Sequence, residues 1–413
     1  MSLSYARLLA LRMVRSLWFT PAAYAVLAVA VLLLAPAAAV LLPDEFNKLI
    51  GLDGVDDLLS VLANTLLAVA IFSLGIMVSS LQAAASAATP RARPLLMQDR
   101  TAQNAISVFI GGFIFAIVGT VGLSTNYFSA PSRVILFLTT CLVIVSVIYA
   151  LIRWIGRLSN LGDVSEVVDL LESAAEKAFA ELARRPLLGG VALAAMPDHG
   201  IALRGTRFGY VQAIDDKLFA AISDQHDVDF YLAVRPGTYV DSATILLKTS
   251  KALDEDTSRS VRNAFVIGGD RTFEADPRYC LIVLSETASK ALSPGINDPG
   301  TAIDVLGTSL RVLAGWSSQA REAVTTVTCP RLHVPPVRVE DLVGDAFRWI
   351  ARDGAGQLEV QVRLQKALQS LAAHDPAHFG EAARAMSHEA FARAKIALAL
   401  PADVETLEEF VHN

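Results

Sequence analysis

Four long apolar runs dominate the first 155 residues: Leu17 to Leu42, Leu58 to Ser86, Asn104 to Ser124 and Val134 to Ile152. None contains an Asp, Glu, Lys, Arg or His. A hydrocarbon core of about 30 Å takes roughly 20 residues at the helical rise, so each run is long enough to cross it. The pattern predicts a four-helix transmembrane domain over residues 17–157. The first run is too long for a cleaved secretory signal and reads as the first span. Pro21 falls in its first turn, where a missing N–H costs little, whereas Pro36 is interior and marks a bend or the upper end. Ahead of it, residues 1–16 form an amphipathic segment, with Arg7, Arg12 and Arg15 on one side of the wheel and Leu3, Leu9, Met13 and Val14 on the other. Such a segment either lies in the membrane interface or continues the first span.

Past residue 157 the period changes. Asp163 with Glu166 makes a capping-box start for a helix that Pro186 and Gly189-Gly190 end. Between residues 200 and 250 the β-branched runs 209–214, 228–234 and 244–247 predict strands. A short helix is expected at Asp215 to Ser223, and Arg235-Pro236-Gly237 is the turn between the last two strands. Helical periodicity returns over about 255–267, 276–292, 299–315, 339–352, 356–373 and 378–398, interrupted by extended pieces near 324–327 and 331–334. The expected fold class is an α-helical transmembrane bundle of four spans, followed over residues 158–413 by a cytoplasmic α+β domain with a small β element and a mostly helical remainder.

Composition supports the membrane assignment: 53% of residues are hydrophobic, 18% are charged, and the mean hydropathy is +0.46. Cations set the orientation. The first 16 residues carry three Arg and no acid, the second-to-third loop carries Arg91, Arg93 and Arg100 against Asp99, and Arg153 and Arg157 follow the fourth span. The first-to-second loop is acidic, with Asp44, Glu45, Asp53, Asp56 and Asp57 against Lys48. Both termini are therefore expected in the cytoplasm. Spans without a titratable group disfavour proton-coupled transport, which needs an ionisable side chain in the bundle interior. Residues 158–413 hold 25 basic and 35 acidic side chains, which excludes nucleic acid as a partner. Cys141, Cys280 and Cys329 form no CxxC pair and no disulfide framework, as expected in a reducing compartment.

The second span is patterned on one face. Ser60, Asn64, Ala68, Gly75, Ser79, Gln82 and Ser86 recur at steps of three, four or seven and share a sector of roughly 100°. Small and amide-bearing residues of this kind serve helix packing. Equally, an uncharged polar wall can line a water-filled path in a homo-oligomer. Gly111, Gly112, Ala116, Gly119, Thr120 and Gly122 in the third span point to close helix contact. The loop that follows the second span holds Arg91, Arg93, Asp99 and Arg100, either as cations snorkelling at the membrane edge or as a coupling loop to the cytoplasmic domain.

In the string Ala291 to Ala302, Pro294 and Gly295 stop one helix, Asp298 caps the next and Pro299 takes its first position. Ser293, Asn297, Asp298 and Thr301 then make a tight corner, or a binding corner for a small ion or polar ligand, although one carboxylate and one amide make a weak metal site. No Walker loop, GxSxG or HExxH occurs, and Pro376 separates His374 from His378. No enzyme activity, cofactor or metal is expected.

Three strings carry a resemblance: ALSPGINDPGTA at residues 291–302, TPRARPLLMQDRTAQ at 89–103, and GYVQAIDDKLF with VRPGTYV in the β element. Together they resemble a bacterial predicted-membrane-protein family, domain-of-unknown-function family 2254, over nearly the whole chain. The chain departs from the family pattern at Gly300, where an aromatic is more usual. The resemblance implies a multi-pass protein of the bacterial inner membrane and no reaction. The expected function is an oligomeric channel or pore-like protein with a cytoplasmic assembly or gating domain. The alternative is a membrane-anchored sensor or scaffold that binds a ligand or protein through that domain.

Overall fold

The computed structural model describes residues 19–38, 54–97, 100–125, 130–158 and 162–411. The amphipathic segment 1–16, most of the acidic first-to-second loop and Asp99 lie outside the described residues. The chain divides into two units, Met1–Ala84 with Arg93–Asp163, and Ala85–Ala92 with Val164–Asn413.

The first unit is helical. Its helices are α1 (Phe19–Ala38), α2 (Val55–Ala87), α3 (Arg100–Ser124) and α4 (Ala130–Leu158). Three of them, α2, α3 and α4, are long and apolar enough to cross a membrane. In α1 the apolar helical stretch is the shorter Pro21–Val31, so three of the four expected spans have the length and composition to cross among the described residues. Half of the apolar window of α3 is buried, against 17% for α2 and 22% for α4, so α3 is the central helix. Its small residues make that possible. A Cβ on Gly111 would come within 2.4 Å of Tyr24, one on Gly112 within 2.8 Å of Leu66, and one on Gly119 within 3.0 Å of Leu59. Glycine thus admits large side chains from α1 and α2 directly onto the α3 backbone. Above and below, Leu59, Phe115 and Leu136 form one buried layer and Leu66, Phe109 and Trp154 another. The hydroxyls of Thr120, Thr139 and Thr140 donate to carbonyls four residues back, at 2.9, 2.7 and 2.7 Å, and so need no partner in an apolar surround.

The second unit is α+β. Helix α5 (Val164–Arg184) leads into strands β1 (Val191–Ala192), β2 (Ile201–Arg204) and β3 (Gly209–Ile214). Helix α6 (Asp216–His226), strands β4 (Phe230–Leu232), β5 (Tyr239–Val240) and β6 (Ile245–Thr249), helix α7 (Glu255–Asn263) and strand β7 (Phe265–Gly268) follow. The rest is helical except for β8 (Leu332–Val334): α8 (Pro277–Ala291), α9 (Pro299–Glu322), α10 (Val339–Asp353), α11 (Leu358–His374), α12 (Pro376–Ala397) and α13 (Pro401–Glu408). A five-stranded mixed sheet runs β1-β8-β4-β6-β2, and a three-stranded antiparallel sheet runs β5-β3-β7. Phe219, Phe230, Val240, Leu247, Val261 and Phe265 fill a common core between sheets and helices. Helices α8, α9, α10 and α12 bury Leu284, Leu306, Phe347 and Phe379 in the helical part.

Three helices of this unit begin at Asp-Pro. Asp276, Asp298 and Asp375 each accept the backbone N–H three residues on, and the proline takes the first helical turn. One sequence expectation fails here. The helix expected over 255–267 stops at Asn263, and Phe265–Gly268 instead pairs antiparallel with β3, Val211 opposite Ile267 and Ile214 opposite Phe265. Phe265-Val266-Ile267 suits a strand, and the tertiary pairing overrides the helical period before it. Residues 324–327, expected extended, are irregular coil, while α9 runs on to Glu322.

Candidate functional site

The turn after β4 is built from its sequence. Pro236 and Gly237 occupy the centre of a β-turn in which Thr238 N donates to Arg235 O at 3.1 Å, and Gly237 takes φ +92°, as a type II turn requires of that position. Gly237 also leaves room for a neighbour, since a Cβ there would meet the Asp276 carboxylate at 2.2 Å. The turn brings Arg235 to the wall of a cavity of about 500 Å³. Its other walls come from α5 (Ala178, Glu181, Leu182), from Arg185 and Leu188, from β3 (Ala213, Ile214), from residues 271–278 and from residues 336–338.

Five arginines and five carboxylates line it. Arg271 grips Asp276 through Nε and Nη2 at 2.7 and 3.0 Å, and the Tyr279 ring lies 5.0 Å from the Arg271 guanidinium. Arg278 reaches Asp345 at 2.6 Å and Asp341 at 2.9 Å. Burial pushes the Asp345 carboxyl up, in spite of Arg278 beside it. Arg185 pairs with Asp216. Arg235 is different: burial brings its guanidinium down to about 10. Among the described residues it has no carboxylate partner and donates to the carbonyls of Pro186 and Pro335.

The residues singled out by sequence lie elsewhere. Ser60, Asn64, Ala68, Gly75, Ser79, Gln82 and Ser86 are all exposed. The buried positions of α2 are Val55, Leu59, Leu66, Ala70, Ser73 and Ala84, on roughly the opposite side at 100° per residue. The stripe positions from Ser60 to Gln82 therefore lie on the exposed side of α2.

Arg91 pairs with Glu286 of α8, and Lys290 Nζ donates to the carbonyl of Ala85 at 3.1 Å. Ala88, Thr89 and Ala92 are buried, so the segment Ala85–Ala92 is an integral part of the second unit. Arg93 is exposed and belongs to the first unit, and of Arg100 the backbone alone is described.

Ser293, Asn297, Asp298 and Thr301 do come together, at the corner between α8 and α9. The Thr301 hydroxyl donates to Asp298 at 2.6 Å, and with the Thr301 N–H it holds the Asp298 carboxyl below the usual carboxylate range. Ser293 Oγ donates to Lys290 O at 2.6 Å, and Asn297 takes φ +51° with its Oδ1 accepting from Gln357 at 3.2 Å. The corner is exposed at Pro294 through Asn297, and the oxygens of Ser293, Asn297, Asp298 and Thr301 all have partners within the fold.

Sequence reading placed Arg235 in a turn and missed the cavity around it. The Asp276-Pro277 helix start was a visible signal, being the same capping pattern as Asp298-Pro299. The convergence of Arg185, Arg271 and Arg278 left no pattern along the chain.

Three apolar helices long enough to cross a membrane, followed by a separate α+β unit, make up a membrane protein with an added α+β region. A family model described as a predicted membrane protein, DUF2254, matches residues 14–370, and the chain belongs to this family. No curated protein and no solved structure matches the chain.

Proposed function

We propose that the protein is an oligomeric channel or pore-like protein of the bacterial inner membrane. Four spans per subunit place both termini in the cytoplasm, α2 faces the axis of a ring of copies, and the α+β unit assembles or gates the ring. One observation carries this reading. Ser60, Asn64, Ala68, Gly75, Ser79 and Gln82 of the α2 stripe are exposed, while the buried residues of α2, apolar except for Ser73, lie on the opposite side. Uncharged polar side chains facing lipid are unfavourable and would gain partners, or water, in a ring. Reconstitution into planar bilayers tests it: the expected result is a conductance that Asn64→Leu and Gln82→Leu reduce. No conductance under any ionic, voltage or tension condition overturns it.

A second reading has its own support in the Arg235 cavity: a membrane-anchored sensor or scaffold that binds a ligand through the α+β unit. Under that reading Asn64→Leu and Gln82→Leu leave function intact.

A further inference from the structure

Five arginines line the cavity beside the Arg235–Thr238 turn, and four have carboxylate partners. Arg185 pairs with Asp216, Arg271 with Asp276, Arg278 with Asp341 and Asp345, and Arg338 with Glu340. Arg235 has none among the described residues and is held by backbone carbonyls rather than by an acid. Its Nη1 donates to Pro186 O at 3.2 Å and to Pro335 O at 2.7 Å, and its Nη2 donates to Pro186 O at 3.2 Å.

Those three bonds use the Nη1 end of the guanidinium. The remaining edge, Nε–H with the second Nη2–H, is the fork that matches a planar or tetrahedral oxyanion. This protein uses the same edge elsewhere: Arg271 on Asp276 and Arg311 on Glu172 both donate through Nε and Nη2, at 2.7 to 3.0 Å. In Arg235 the fork meets no acceptor among the described residues. A buried cation without a counter-charge is costly, and the acids lining the same cavity lie on other arginines or on the rim.

We propose that the cavity binds a small organic anion, its carboxylate or phosphate held side-on by Nε and Nη2 of Arg235. The apolar body rests against Leu182, Leu188, Ile214, Pro336 and Val337, which line the same space. A volume of about 500 Å³ falls within the range of small-molecule sites. The backbone bonds to Pro186 and Pro335 fix the guanidinium in advance, so little ordering accompanies binding. This site is independent of the α2 stripe: a silent bilayer leaves it standing, and its failure leaves the pore reading standing.

The full-length protein in detergent is titrated by calorimetry with benzoate, phenyl phosphate and inorganic phosphate. Saturable binding of at least one organic anion is expected. Arg235→Lys keeps the charge but loses the fork, and should weaken that binding about tenfold or more. Ala233→Trp fills the exposed mouth, leaves Arg235 and its carbonyl partners intact, and should weaken it as well, which decides the matter if the Arg235 variant does not fold. Arg311→Gln, outside the cavity, should bind as the parent does. No saturable binding of either organic anion up to about 10 mM, the range of very weak complexes, overturns the proposal. So does binding that Ala233→Trp leaves unchanged, or binding of inorganic phosphate alone.

Discussion

Arg235 Nη1 donates to the carbonyl oxygen of Pro335 at 2.7 Å, tying the turn after β4 to the segment after β8, 100 residues further on. The same guanidinium holds Pro186, at the end of α5. Replacing it with methionine keeps much of the volume and strips both carbonyls of their donor. Each acceptor left unmade costs roughly 1–3 kcal/mol, partly offset by removal of a buried charge. Arg235→Met should therefore lower stability by about 1–3 kcal/mol, read as a shift in the urea midpoint of the α+β unit. An unchanged midpoint would show that the carbonyls find water instead.

Gly112 sets the approach of α2 to α3, with Leu66 Cδ1 2.8 Å from where a Cβ would stand. Overpacking of a filled site typically costs 1–3 kcal/mol. Gly112→Leu should accordingly lower the thermal midpoint of the detergent-solubilised protein by several degrees, whereas Gly75→Leu, with nothing within 4 Å, should not.

The outward face of α2 predicts a cross-linking pattern. In a Cys141→Ser background, Ser60→Cys and Ser79→Cys should form disulfide-linked dimers in native membranes on mild oxidation. Ser73→Cys, on the buried face, should not. Absence of dimers at every stripe position would remove α2 from the axis of any ring.

Asp375 caps α12 and carries a pH signature. Burial alone pushes its carboxyl up, but the Ser317 hydroxyl and the ring and backbone N–H of His378 prevail and hold it at about 2. A carboxyl depressed in the folded state contributes stability that is complete above its ordinary value of 3.8 and is lost as pH falls through the folded one. The gap in thermal midpoint between the parent and Asp375→Asn should be wide at about pH 5 and close as pH falls toward 2. A gap that persists to pH 2 would contradict the depressed value.

Glu286 holds Arg91, and Lys290 holds Ala85 from the next turn of α8. Glu286→Gln keeps the side-chain shape and removes the charge. Limited trypsin digestion should then cut faster after Arg91, within a segment whose Ala88 and Thr89 are fully buried in the parent. Equal cleavage rates would mean that burial of Ala88 and Thr89 alone secures the segment.

Much of the architecture was legible along the chain because it rests on local rules. The charge-free runs became α1 to α4, the glycines of the third span became the contact surface of α3, and Asp298-Pro299 became a capped helix start. Arg235-Pro236-Gly237 made its turn because proline and glycine leave few other conformations there. Strands β1 and β5 were not legible, since two residues carry no period, and β7 was hidden behind a helical pattern that ends only where β3 offers it partners. That Ala85–Ala92 belongs to the second unit, with Ala88, Thr89 and Ala92 buried, was not legible either, because Arg91 reads the same whether it snorkels or pairs.

The sequence by itself determined membrane association, the positions of the apolar helices and the caps, because hydrocarbon and the helix backbone impose rules that act over one to five turns. Only the tertiary structure decided that the α2 stripe faces outward, and that Arg235, among the described residues, stands without a carboxylate beside four cavity arginines that each have one. Facing and pairing depend on which distant segments come together. Val191 beside His333, or Arg235 beside Pro335, leaves no trace in the spacing of either segment.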